Sequence, residues 1–162
     1  MKKLLILLSV SISALLYACG GANNDNASTG STDDKDASAQ ATDKSAAYDP
    51  NRGEGKFSNV ELGDKLNTTM ADAGEKIYGV KCSSCHKLTD EKLVGPGWKG
   101  VTTRHKPEWI MNFITNPDAM IDKDPKAQAM LEICMVRMPN QNLNDDDARN
   151  ILEFMRKNDG VK

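Results

Sequence analysis

Histidine is nearly missing from this chain of 162 residues: His86 and His105 are the only two, so a histidine-based metal site has few ligands to draw on. Aromatic residues make up 5 %, which leaves little bulk for a self-sufficient core. Charge of one sign is also lacking. With a formal net charge of −2, no basic field marks the chain as a nucleic-acid binder. The uncharged apolar run Leu4 to Leu16 falls short of the ~20 residues that a bilayer-spanning helix needs. From residue 57 onward nothing alternates with period two and nothing repeats, which argues against strands and solenoids. No acid–base pair or activated nucleophile stands out as belonging to a substrate cleft.

What is present divides the chain into three parts. Residues 1–18 begin with Lys2 and Lys3 and continue into the apolar run, the pattern of a secretion signal. The run ends in Leu16-Tyr17-Ala18-Cys19-Gly20, which resembles the lipobox of bacterial lipoproteins. That resemblance implies cleavage before Cys19 and its acylation, and two or more acyl chains would hold the protein on a membrane without a spanning helix. A soluble secreted protein with a chance cysteine at this place is the alternative. Residues 19–56, rich in Asn, Asp, Ser, Thr, Ala and Gly, bury too little to offset ordering entropy and are expected to form a disordered tether with a reach of roughly 35 Å. Residues 57–162 hold the folded domain. That domain is almost neutral, so its local excess of Lys81, Lys87, Lys92, Lys99, Arg104 and Lys106 over Asp90 and Glu91 stands out.

The domain reads as all-α. A first helix is predicted from Ala71 to about Ser83, with Ile77 and Val80 apolar beside Gly74 and Tyr78. Pro107 suits a first helical position, and Trp109, Ile110, Phe113 and Ile114 follow until Asn116-Pro117 stops the run. Asp124 can cap and Pro125 open a third helix, with Ala127, Leu131 and Cys134 on one face as far as Val136. The last helix has Asn144 as cap, three aspartates at its positive end, the stripe Ala148, Ile151, Leu152 and Met155, and Arg156 and Lys157 at its negative end. Such short helices need something to pack around, and a large apolar macrocycle would supply it.

Cys82-Ser83-Ser84-Cys85-His86 carries the chemistry. Zinc would have to recruit His105 or Cys134 as a fourth ligand, because no second CxxC or HxxxH exists. A redox dithiol expects the motif after a buried strand, whereas here it ends a helix. C-x-x-C-H is the attachment motif of c-type haem: Cys82 and Cys85 can form thioethers and His86 can reach the iron. One covalent haem c is the expected cofactor.

Beyond that motif, residues 71–157 resemble a small mono-haem class I cytochrome c, through a Gly-containing helix before CSSCH, then LVGPGWKGV, a middle helix, RMPNQNL and an acid-capped final helix. The resemblance implies a small cytochrome c fold wrapped around the haem, and export, since such haem is attached outside the bacterial cytoplasm. It implies that the Pro96 carbonyl accepts a hydrogen bond from His86, and that Ile151 or Phe154 crosses Gly74. Gly95 and Gly97 would allow close backbone approach to the ring. Met138 is the expected axial ligand: Pro139 pushes it out of the helix, and Met-Pro before the last helix is where the family carries its methionine. Met135 and His105 are the alternatives, His105 otherwise being exposed or facing a propionate. Trp98 and Trp109 are expected as pocket walls, with Trp109, Arg104 or Lys99 donating to a propionate. Cys134 is expected as a buried free thiol, and residues 57–70 have no evident role.

The resulting expectation is a monomeric one-electron carrier on the periplasmic side of a bacterial membrane, docking on redox proteins with an acidic face. A haem sensor or peroxidase-like protein with an open sixth iron site, and a dithiol oxidoreductase, are the competing classes.

Overall fold

The computed structural model describes residues 48–162. The secretion-signal segment, Cys19 and most of the tether lie outside the described residues. Within them six helices follow one another: α1 (Thr68–Lys81), α2 (Val101–Arg104), α3 (Pro107–Thr115), α4 (Pro117–Lys123), α5 (Pro125–Cys134) and α6 (Asp145–Asn158). The one β feature among the described residues is an isolated bridge between His86 and Lys92.

The caps explain where the helices start. Asn67 accepts from the Met70 N–H at 3.1 Å, so α1 begins three residues before the position its apolar pattern marks. Asp124 accepts from the Ala127 N–H and Asn144 from the Asp147 N–H, as their sequence positions require. Asn116-Pro117 does stop α3, yet Asn116 also caps the next helix and Pro117 opens it, a use of the pair that the sequence reading did not include. α5 ends at Cys134, two residues short of Val136, because Met135 turns left-handed at φ 57°. Val80 is exposed and takes no part in the apolar face expected of it.

α1 and α6 form the main helix pair. A Cβ at Gly74 would overlap the Asn150 carbonyl and the Phe154 Cβ, so the two backbones touch there. Phe154 crosses Gly74 as expected, with Asn150 rather than Ile151 beside it. Ala148, Ile151, Leu152 and Met155 of α6 are all buried. Glu153 is buried too, and it is paired with Arg149 at 2.6 Å and Arg156 at 2.8 Å, as a buried charge must be.

Of residues 57–70, which the sequence left without a role, 57–67 run as a strap along this helix pair and 68–70 open α1. Arg156 donates to the Gly63 carbonyl, Arg149 to that of Glu61, and Glu153 accepts from the Asn67 N–H. Phe57 N–H donates to the buried Asn112 side chain and Val60 N–H to Glu108, which ties the strap to α3. The packed region begins earlier than residue 57, which moves the expected boundary. The Arg52 carbonyl accepts from the Asn112 amide at 3.0 Å, and the Tyr48 hydroxyl donates to the buried Asp124. Residues 48–56 therefore belong with the domain: polar contacts of their main chain and side chains, rather than an apolar stripe, hold them.

Candidate functional site

The site is built from the end of α1 outward. Cys82 caps that helix, its N–H bonded to the Tyr78 carbonyl, and the Cys82 carbonyl then accepts from both Cys85 N–H (3.1 Å) and His86 N–H (2.9 Å). This tight turn brings the two cysteines and the histidine of the motif together, with Cys82 buried and Cys85 half-buried. Burial pushes the Cys82 thiol up to about 11, the opposite of what a reactive dithiol needs. Among the described residues no three His, Cys, Asp or Glu side chains group as metal ligands, so neither His105 nor Cys134 completes a zinc set.

The chain next folds back over His86. Val94 and Gly95 N–H donate to the Cys85 carbonyl, and Trp98 N–H to that of Lys87. A side chain at Gly95 would overlap the imidazole, so glycine lets the backbone lie against that ring. The approach sets the Pro96 carbonyl 2.9 Å from His86 Nδ1. A carbonyl can only accept, so Nδ1 carries the proton and Nε2 keeps a free lone pair. Burial lowers the imidazole pKa while the Pro96 bond opposes this, which favours the neutral, ligating form.

His86 lines a cavity of about 550 Å³, within the range of cofactor pockets, and Met138 lines it too. Met138 lies half-buried in the irregular segment after α5. The alternative Met135 is exposed and faces neither this cavity nor the smaller one beside it. Trp98 and Trp109 are buried and line the cavity. The Trp109 indole N–H, however, donates to Asp124 at 2.9 Å and is not free for a carboxylate of the cofactor. Arg104 and Lys99 line the cavity, and the Arg104 guanidinium donates to the carbonyls of Lys99 and Gly97. His105 lines it as well, stacked on Trp109 with ring centroids 4.0 Å apart. Cys134 is a half-buried free thiol on both cavities rather than a fully buried one.

Sequence reasoning missed several walls: Ile110, Phe113, Met130 and Met155 face the cavity, as does Lys126. Ile110, Phe113 and Met155 read as helix faces in the sequence, since periodicity does not separate a face turned to a cofactor from one turned to other side chains, and Met130 carries no signal of its own. The charges complete the description. Lys92, Lys99, Arg104 and Lys126 line the cavity against one acid, Asp90, and none of these four cations forms a salt bridge among the described residues. An apolar slot with a cationic lining suits a flat apolar macrocycle bearing carboxylates, so the residues present fit a haem.

An all-helical domain with a Cys-x-x-Cys-His turn on such a slot has the build of a c-type cytochrome. Residues 71–159 match the family model described as cytochrome c, and the chain belongs to the cytochrome c family. The solved cytochrome c from Rhodothermus marinus is similar to it at 33 % identity with a TM-score of 0.63, over 65 % of this chain and 90 % of that one. An engineered cytochrome c from the same organism, Rma TDE, is similar at 32 % identity with a TM-score of 0.62, over the same shares. The engineered protein has also been solved bound to a carbene intermediate, at 32 % identity with a TM-score of 0.59 over 65 % of this chain and 90 % of that one. The family carries covalently attached haem c, one for a domain of this kind, and its function is electron transfer.

Proposed function

We propose that this chain is an exported, lipid-anchored one-electron carrier in which His86 and Met138 would hold the iron of a haem c. The observation that carries the reading is the 2.9 Å contact of His86 Nδ1 with the Pro96 carbonyl, which orients the imidazole and leaves Nε2 free on a cavity that Met138 shares. Haem c, when bound, supplies one-electron exchange between ferric and ferrous iron, and histidine with methionine tolerates both states.

The remaining roles belong to the chain. Cys82 and Cys85 would hold the macrocycle through two thioethers. Trp98, Trp109, Ile110 and Phe113 keep water from the ring faces. Arg104 and Lys99 line the cavity and would meet the cofactor's carboxylates. Lys92, Lys99 and Lys126, unpaired with any acid among the described residues, supply positive charge for docking on an acidic redox partner. An acylated Cys19 and the segment after it would keep the monomeric domain near the membrane on the periplasmic side.

Absorption of the ferric protein tests the ligation. A weak near-infrared methionine–iron band is expected in the wild type and its loss in Met138→Ala. Absence of the band, with rapid carbon monoxide binding by the ferrous wild type, would indicate an open sixth site of the sensor or peroxidase kind. Raising salt should slow electron exchange with the true partner, and a rate indifferent to salt would remove charge steering.

A further inference from the structure

We propose that Arg137 is a positioning residue for Met138: its guanidinium, clamped on two carboxylates of α4, holds the methionine in the cavity against displacement by outside ligands. This rests on the reading above in which Met138 would hold the iron.

Met138 belongs to residues 135–144, the irregular segment between α5 and α6. Little fixes that segment. Among the described residues, no main-chain hydrogen bond joins 136–143 to any other main-chain group. Some of its polar contacts are internal: the Asn142 N–H donates to the Asn140 side chain, and the Gln141 amide to the Pro139 carbonyl. Met135 and Asn142 sit in the left-handed region, at φ 57° and 51°, which residues other than glycine keep only where their surroundings hold them. Met138 and Leu143 pack half-buried against the core.

Two polar links tie this segment to the rest of the described chain. Lys81, at the end of α1, donates to the Gln141 carbonyl at 2.9 Å. The other link is Arg137, which precedes Met138 directly. Its Nε donates to Asp118 Oδ1 at 2.9 Å, and one terminal nitrogen donates to Asp122 Oδ1 at 2.6 Å and to the Asp118 carbonyl at 3.2 Å. Asp118 and Asp122 stand one turn apart on α4, so they share a face, and the planar guanidinium spans both. Among the described residues neither carboxylate pairs with another cation. α4 is a firm support, since Pro117, Met120 and Ile121 are buried and Asn116 caps it.

The clamp closes beside the methionine. Arg137 and Met138 line the smaller cavity together, and Met138 lines the larger one as well. An outside ligand takes the place of Met138 only once the methionine has left, and that requires its segment to swing away from α4. The ion pairs oppose the swing. They are exposed, so salt weakens them.

The test is imidazole binding by the full haem-loaded protein in its ferric state, followed by stopped-flow absorption at roughly pH 8, where the added ligand is neutral. With Met138 departing first, the binding rate levels off at high imidazole, at the rate of segment opening. Arg137→Gln should raise that plateau roughly three- to tenfold, as the loss of two exposed ion pairs allows. Arg137→Lys, which keeps the charge without the planar fork, should fall between. The double variant Asp118→Asn/Asp122→Asn should match Arg137→Gln, and combining all three substitutions should add nothing further. Salt should raise the wild-type plateau and leave that of Arg137→Gln where it is. Lys157→Gln, which breaks exposed pairs with Asp72 and Glu75 outside both cavities, should leave the plateau unchanged. Equal plateaus in the wild type and Arg137→Gln, or a rise of the same size in Lys157→Gln, overturn the proposal. The near-infrared methionine–iron band separates the two claims: with the band present and the plateaus equal, the clamp alone fails. A wild type with neither band nor plateau loses Met138 ligation and the clamp together.

Discussion

Asp124 is the residue whose removal the structure prices most clearly. It is fully buried and accepts from the Ala127 N–H at 2.8 Å, the Trp109 indole at 2.9 Å and the Tyr48 hydroxyl. Asp124→Ala takes away the cap of α5, a loss of about 1 kcal/mol. It also leaves the buried Trp109 N–H without an acceptor, which costs about 1–3 kcal/mol. Tyr48 is more than a third exposed and can turn to water, so its share is small. The sum is about 2–4 kcal/mol, equivalent to a fall of roughly 10–20 °C in Tm for a domain of this size. Guanidinium unfolding of the haem-loaded protein, followed by Trp fluorescence and haem absorption together, measures it. Asp124→Asn should lose about half as much, because one amide oxygen can still accept from the backbone or the indole. A loss under about 0.5 kcal/mol for Asp124→Ala would refute the claim that residues 48–56, the pocket wall and α5 are joined through this carboxylate.

Three further outcomes follow from the geometry. Gly74→Ala places a methyl against the α6 backbone, which no rotamer change relieves, and should destabilise by about 3 kcal/mol on chemical unfolding; an unchanged midpoint would mean that α1 and α6 do not touch there. Met138→Ala should lower the midpoint potential and open the ferrous iron to carbon monoxide in rapid-mixing experiments, whereas Met135→Ala, at an exposed position, should change neither. In chain made without haem attachment, Cys82 should be alkylated at pH 8 more slowly than after urea unfolding, since burial pushes its thiol up to about 11 and leaves little thiolate; equal rates would contradict the buried turn.

The sequence made the helix starts legible where a cap and a proline coincide. Pro107, Asp124-Pro125 and Asn144 each mark an observed N-terminus, because capping is local chemistry that needs no tertiary partner. α2 and α4 were not legible, since four and seven residues are too few for a 3.6-residue period to register. At the site, the CSSCH turn, the Pro96 contact and a cavity-lining Met138 could be anticipated from the motif and the family pattern. The indole of Trp109 could not, as its partner Asp124 lies 15 residues away across α3 and α4 and is fixed by tertiary packing. Residues 48–56 were read as tether for want of apolar side chains, yet Asn112 binds that stretch through the Arg52 carbonyl, a contact that composition does not register.

Mass spectrometry of the tryptic peptide running from Cys82 to Lys87, after expression with cytochrome maturation, addresses haem attachment most directly. The peptide should carry the full mass of one haem and keep it through acid and organic solvent. A peptide recovered at its bare mass, or two hydrogens lighter with Cys82 and Cys85 joined as a disulfide, would contradict the covalent haem site on which the functional reading rests.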